Sequence, residues 1–217
     1  MSDGARGVTV AELVLASDPE PWRAVGFRVD GDAVRVGTVT LRLVGATAGS
    51  RIVRCEVRGL DVEDLDGLPV VRSDAPLDAS PVESHPNGIT RIDHVVAFTP
   101  DLDRTVAAGQ AAGLDLRRVR DESAPAGSPR QAFFRLGEVI LEVAQAPPGS
   151  PLAGDAPARF YGLAFLVQDI DATAAALGEL VGEPCDAVQP GRRIATVRKE
   201  AGLGLPVAFM TPRPDAG

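Results

Sequence analysis

The hydrophobic pattern is most regular between Gly88 and Gln145. Ile92 to Phe98 is an apolar run broken by one histidine, His94, and reads as a strand. A Pro100-Asp101 turn follows, and Leu102 to Ala112 is a helical segment stopped at Gly113. Leu116–Arg120, Gln131–Leu136 and Glu138–Val143 then read as three more strands. The predicted order is strand, helix, strand, strand, strand.

Ala158 to Gly182 repeats this order. Laying DHVVAFTPDLD over YGLAFLVQDID sets Asp101 on Asp169, Asp103 on Asp171 and His94 on Gly162. The run GEVILEV lies over GLPVAFM when Gly137 is set on Gly204, which puts Phe209 on Glu142. Such self-similarity in strand-rich segments points to a pseudo-symmetric domain.

The first 75 residues hold a weaker copy. Val8 to Ala16 reads as a strand, Trp22 to Val25 as a short helix stopped at Gly26, and Phe27–Val29, Val34–Val36 and Val39–Val44 as strands. Gly37 to Arg42 overlays Gly137 to Glu142, with Arg42 where Glu142 stands. Residues 7–45 are therefore read as a third, eroded copy. Arg51 to Leu60 alternates as a half-exposed strand should, and Leu68–Val71 is a short one. Pro, Ser, Asp and Gly fill Ser73 to Gly88 and mark a linker. The expected organisation is an eroded module over 1–75, a linker over 76–88, a module over 89–145, a linker over 146–157 and a module over 158–212.

The motifs Ile92-Asp93-His94-Val95-Val96 and Gly137-Glu138-Val139-Ile140-Leu141-Glu142, spaced within a repeated module, resemble the vicinal oxygen chelate superfamily. Its members include glyoxalases, bleomycin-resistance proteins and extradiol dioxygenases. The resemblance is good from Gly88 to Pro212 and weaker before that. It implies an α+β fold of repeated βαβββ modules, with strands curled into a half-open, cup-shaped mixed sheet and helices outside. It also implies one divalent metal ion, held by His94 and Glu142 at the family's ligand positions. The departures count against a full site. Gly162 and Phe209 cannot ligate through their side chains, and Arg42 repels a cation. Completing a centre would need His85, a second carboxylate or a partner chain in a homodimer, because divalent sites use three or four protein ligands.

Read without the resemblance, His94 is a hydrogen-bonded core or cleft histidine and Glu142 a solvent-facing strand residue. Arg192 and Arg193 follow the Gln189-Pro190-Gly191 turn and either clamp a substrate carboxylate or form a solvated hairpin edge. Arg117, Arg118 and Arg120 read as an exposed edge that discourages sheet aggregation. If the cup binds a ligand without metal, Phe209 is expected to supply apolar surface inside it.

Composition narrows the function. A net charge of -8 opposes general nucleic-acid binding, which needs a basic face. No apolar run suits a membrane span, and the N-terminus lacks a signal pattern, so a cytoplasmic protein is expected. Cys55 and Cys185 lack metal-binding spacing and read as reduced thiols. No nucleophile elbow, phosphate loop, dinucleotide fingerprint or HExxH is present. The expectation is a glyoxalase/bleomycin-resistance-like small-molecule-binding protein with a partial or lost metal site. The alternative is a metal-dependent lyase, isomerase or dioxygenase acting on a substrate with vicinal oxygens.

Overall fold

The computed structural model describes residues 7–46, 51–60, 64–121, 129–147, 149–150 and 156–214. The second half of the chain builds one eight-stranded sheet. Its first module is β6 (Ile89–Thr99), α2 (Leu102–Ala111), β7 (Asp115–Arg120), β8 (Gln131–Leu136) and β9 (Val139–Gln145). Its second is β10 (Arg159–Val167), α3 (Ile170–Leu177), β11 (Cys185–Asp186), β12 (Arg193–Thr196) and β13 (Val207–Met210). The strand order is β11-β12-β13-β10-β6-β9-β8-β7. In each module the first and last strands are parallel, and the two first strands meet antiparallel at the centre. A pseudo-two-fold axis passes through the Val95–Leu163 pair.

The aspartates of the repeated turn explain where the helices start. Asp101 accepts a hydrogen bond from the backbone N–H of Arg104, and Asp169 accepts from Asp171 and Ala172. Each cap satisfies N–H groups that a helix start leaves open. Gly109 lets α2 sit on the sheet, because a Cβ there would lie 2.8 Å from Phe134.

The first part of the chain forms a five-stranded sheet from β1 (Thr9–Leu15), β2 (Ala33–Val36), β3 (Val39–Leu43), β4 (Ile52–Arg58) and β5 (Val70–Arg72), ordered β2-β3-β1-β4-β5. Helix α1 (Pro19–Ala24) follows β1. This sheet repeats the plan of the larger one: β1 is parallel to β3, β4 is parallel to β5, and β1 meets β4 antiparallel at Leu13–Cys55. It therefore holds two copies. Between the strands of the second, β4 and β5, the described residues form no helix, which is why the sequence pattern shows only strands there. Phe27–Val29, expected as a strand, forms none. Phe27 is instead buried edge-on against Trp22 and Phe165, where ring packing replaces a ladder.

The five-stranded sheet covers the convex back of the larger one. Val10, Cys55 and Val57 face Val95, Val139 and Leu141, and a single apolar cluster runs through both sheets. Polar ties fasten the halves. Trp22 donates to Ser17 Oγ, which donates to the Leu203 carbonyl, each at 2.8 Å. Glu138 accepts from the backbone N–H of Thr38, so the two equivalent glycine turns touch. Ser73 to Gly88 forms no strand but is held against the first sheet by Arg28, Arg35 and Arg58 and by buried His85. The 146–157 linker falls partly outside the described residues. With the back covered by α2, α3 and the smaller sheet, the concave face is left open. Among the described residues no helix is long and apolar enough to cross a membrane.

Candidate functional site

The concave face can be read from the strand ladders, because directly paired residues share a face. His94 pairs with Ile140, and Ile140 with Arg135. Val96 pairs with Glu142, and Glu142 with Phe133. His94 and Glu142 thus lie on neighbouring strands and on one face. Both line a cleft of about 410 Å³, with Arg120, Gln131 and Tyr161 at one side and Ala164, Ile194, Ala208 and Met210 at the other.

A β-bulge shapes the polar end. Ile92 pairs with Phe165 and His94 with Ala164, so Asp93 is an extra residue in its strand. A bulge can send two successive side chains to the same side of a sheet. Here it brings Asp93 against the His94 ring: Nδ1 lies 2.8 Å from Asp93 Oδ2. An ionised carboxylate only accepts, so Nδ1 carries the proton and donates. In the neutral ring Nε2 is then a lone-pair acceptor facing the cleft. It stands 3.8 Å from Glu142 Oε2, which is also an acceptor.

These residues belong to a longer chain of contacts. Arg120 donates to Gln131 Oε1, and Gln131 Nε2 donates to Glu142 Oε1 at 2.5 Å. On the other side Arg192 Nη1 donates to Asp93 Oδ2 at 3.1 Å. Two arginines and two carboxylates thus meet at this pole. Burial pushes the Glu142 carboxyl above its usual range, against the opposing pull of His94 and Arg120. Burial also acts to raise Asp93, but hydrogen bonds from His94 and Arg192 outweigh it and hold that carboxyl low.

The residues present do not fit a divalent metal site of the usual kind. His94 Nε2 and Glu142 supply two donors, and among the described residues no group of three or more His, Cys, Asp or Glu could hold an ion. Asp93 is spent on Arg192 and the far ring nitrogen. His85 lies elsewhere, against Arg28 and Arg35. The pseudo-two-fold places Gly162 at His94's position, and a Cβ at Gly162 would lie 2.5 Å from the Pro206 carbonyl oxygen.

Three sequence expectations change. Phe209 does not face the cup. It is fully buried on the convex side, 6.5 Å from Phe27 between ring centroids. The ladder sets Ala208, not Phe209, where Glu142 stands, since Ala208 pairs with Ala164 as Glu142 pairs with Val96. The overlay from Gly204 is one residue out, and a one-residue slip reverses every side chain in a strand. Arg192 is 3% exposed and does not line the cleft; its guanidinium binds Asp93 and the Thr211 carbonyl. Arg193 lies outside, paired with Asp171 at 2.6 Å. Sequence reasoning missed Asp93, Arg120, Gln131 and Tyr161. A bulge leaves no periodic trace, and the arginine run around Arg120 looked like an outer edge.

The architecture defines a class: paired βαβββ modules whose strands wrap a cup with a polar pole and an apolar wall. No family model and no curated protein matches the sequence. Among solved structures, a fusion of a xylose isomerase-like TIM barrel with 4-hydroxyphenylpyruvate dioxygenase matches all of this chain. The match covers 52% of that protein at 13% identity, with a TM-score of 0.59. Methylmalonyl-CoA epimerase from Mycobacterium tuberculosis matches 58% of the chain and 91% of its own length at 18% identity and a TM-score of 0.47. The Streptomyces coelicolor methylmalonyl-CoA epimerase with 2-nitronate-propionyl-CoA matches 58% of the chain and 99% of its own length at 24% identity and a TM-score of 0.47. The chain has the paired-module fold expected of the vicinal oxygen chelate superfamily.

Proposed function

We propose that this protein binds a small amphipathic molecule in the cup without a metal ion. The observation that carries the reading is the pair of acceptors, His94 Nε2 and Glu142 Oε2, 3.8 Å apart at the head of an apolar-walled cleft. Two half-buried acceptors stand face to face, and a ligand O–H or N–H between them supplies a donor. The rest of the ligand lies against Ala164, Ile194, Ala208 and Met210, as small-molecule sites use a few polar groups on an apolar surface. The balanced charges of Arg120, Glu142, Asp93 and Arg192 support this reading, because no cation is needed to neutralise the pole.

The test uses protein purified without an affinity tag and the fluorophore N-phenyl-1-naphthylamine, an apolar body with one N–H. Metal content should be near zero, and His94→Ala should weaken the fluorophore by about ten-fold, the loss of one good hydrogen bond. Near-stoichiometric zinc, iron, manganese or nickel that His94→Ala removes would defeat the proposal. The metal-dependent lyase, isomerase or dioxygenase reading would then lead.

A further inference from the structure

Most arginines on the outer surface hold a carboxylate, as Arg23, Arg28, Arg35 and Arg130 do. Arg58 and Arg198 are occupied by backbone carbonyls. The arginines around the cup are different. Arg91 pairs with Leu166, Arg118 with Phe133, Arg135 with Ile140 and Arg159 with Phe98. Each partner belongs to the concave face, so these arginines belong to it too. They stand on four different strands, all are exposed, and among the described residues none is ion-paired, Arg135 alone giving its Nε to a backbone carbonyl, that of Gly137 at 3.2 Å. Arg51 joins them from the other sheet, its guanidinium 5.5 Å from the centre of the Tyr161 ring that lines the cleft. Inside, Arg120 has a buried Nε with no hydrogen-bond partner. The facing carboxylates are few: Glu142 and Asp93 are engaged within the pole, Asp186 lies on the wall, and Asp115 is paired with Arg117.

A chain of net charge -8 thus keeps unpaired positive charge around this concavity. Each exposed arginine is worth little alone. A concave wall of low dielectric focuses their summed field onto whatever enters. We propose that this arginine ring makes the cup selective for anionic amphipaths, molecules with an apolar body and a carboxylate, sulfonate or phosphate. The inference rests on the cup being a ligand site and adds the charge of its ligand. The donor group sits between His94 and Glu142, and the anion lies outward toward Arg118, Arg135 and Arg120.

Two probes separate the claims. N-phenyl-1-naphthylamine and 8-anilinonaphthalene-1-sulfonate share one apolar body and one N–H and differ by a sulfonate. At about 20 mM salt the sulfonate should bind at least ~10-fold tighter, and that advantage should vanish near ~500 mM, where screening acts within a few ångströms. Arg118→Glu/Arg135→Glu should abolish the advantage while leaving the neutral probe's affinity within about two-fold. Arg23→Glu, on the outer helix α1, changes net charge equally for one site and should alter neither affinity. Ala208→Trp, which fills the cleft floor, should remove both probes. If the probes bind equally at low salt, or the double variant keeps the sulfonate preference, the charge selectivity is wrong while the cup stands. If neither binds, the cup fails as a ligand site and the selectivity fails with it.

Discussion

Replacing Arg192 by methionine tests whether this residue is a buttress rather than a substrate clamp. Its side chain is 2% exposed, while that of Asp93 is 20% exposed. The substitution removes a charge-assisted bond to Asp93 and a bond to the Thr211 carbonyl, worth roughly 1.5–3 and about 1 kcal/mol. It leaves Asp93 mostly buried with His94 as its remaining partner. Part of the loss is returned, because Arg192 Nη2 has no partner and its desolvation cost of about 1–3 kcal/mol disappears. The methionine stem fills most of the space. The net expectation is a destabilisation of about 2 kcal/mol at neutral pH. Urea unfolding measures it, and a cycle with Asp93→Asn should give a coupling of about 1–2 kcal/mol. The sign with pH is fixed. Asp93 has a lowered folded pKa, so its pairing contributes stability above the unfolded value near 3.8 and loses it as pH falls through the folded value. The penalty of the variant should therefore shrink in acid. A penalty below about 0.5 kcal/mol, or one that grows in acid, would refute the buttress.

Glu142→Gln should stabilise the protein at neutral pH by roughly 0.5–2 kcal/mol, the span of single stabilising substitutions. Burial raises the Glu142 pKa, so the parent loses stability as pH rises from about 4.5 through the folded value, and the gap between the melting curves should widen from pH ~4 to ~8; a constant gap would mean the charge is not the cause. His85 accepts from the backbone N–H of Arg28 through Nδ1, and its Nε2 faces the Arg35 carbonyl, each at 3.0 Å. Burial lowers its pKa, so the fold should keep full stability above pH ~6.5 and lose some as pH falls from there, and His85→Gln should flatten that slope in urea titrations. An unchanged slope would show that the Ser73–Gly88 segment is not held by a neutral histidine.

How much was legible follows from what leaves a periodic trace. The helices α2 and α3 were readable because the Asp-x-Asp turn states a cap and the alanine-rich stretch after it a helix. His94 and Glu142 were readable as two polar residues in apolar strands, where an unpartnered charge is costly. What failed was register. From Gly204 the sequence offers no sign that β13 starts one residue early relative to β9, and that offset moved Phe209 from the imagined cup to the core. Partners distant in sequence were also invisible: 99 positions separate Arg192 from Asp93. Local spacing favoured reading Arg192 with Arg193 as one cluster, yet one is buried and the other half-buried.

The bulges connect the four copies more tightly than any residue identity does. The β1–β4 ladder pairs Val10 with Val57 and Glu12 with Glu56, then Val14 with Arg54 and Leu15 with Ile52. Its extra residues are Ala11 and Val53. The β6–β10 ladder has extra residues at Asp93 and Tyr161 in the corresponding places, each just before the residue that faces the cup. A bulge at the same step of four first strands is a property of the backbone, retained while the side chains change. The position of His94 is then Glu12, and that of Glu142 is Arg42, since Glu12 pairs with Thr40 and Val14 with Arg42 as His94 pairs with Ile140 and Val96 with Glu142. Arg42 lies 3.1 Å from Glu12 and 2.7 Å from Asp32, and Arg54 lies 2.7 Å from Glu56. In the first sheet these positions thus satisfy one another as ion pairs, which leaves no acceptor waiting for a ligand. In the second, the same two positions are both acceptors with a 3.8 Å gap between them. The difference is one of chemistry on a shared scaffold. On the proposed reading, ligand binding belongs to the second sheet, and the first covers its back.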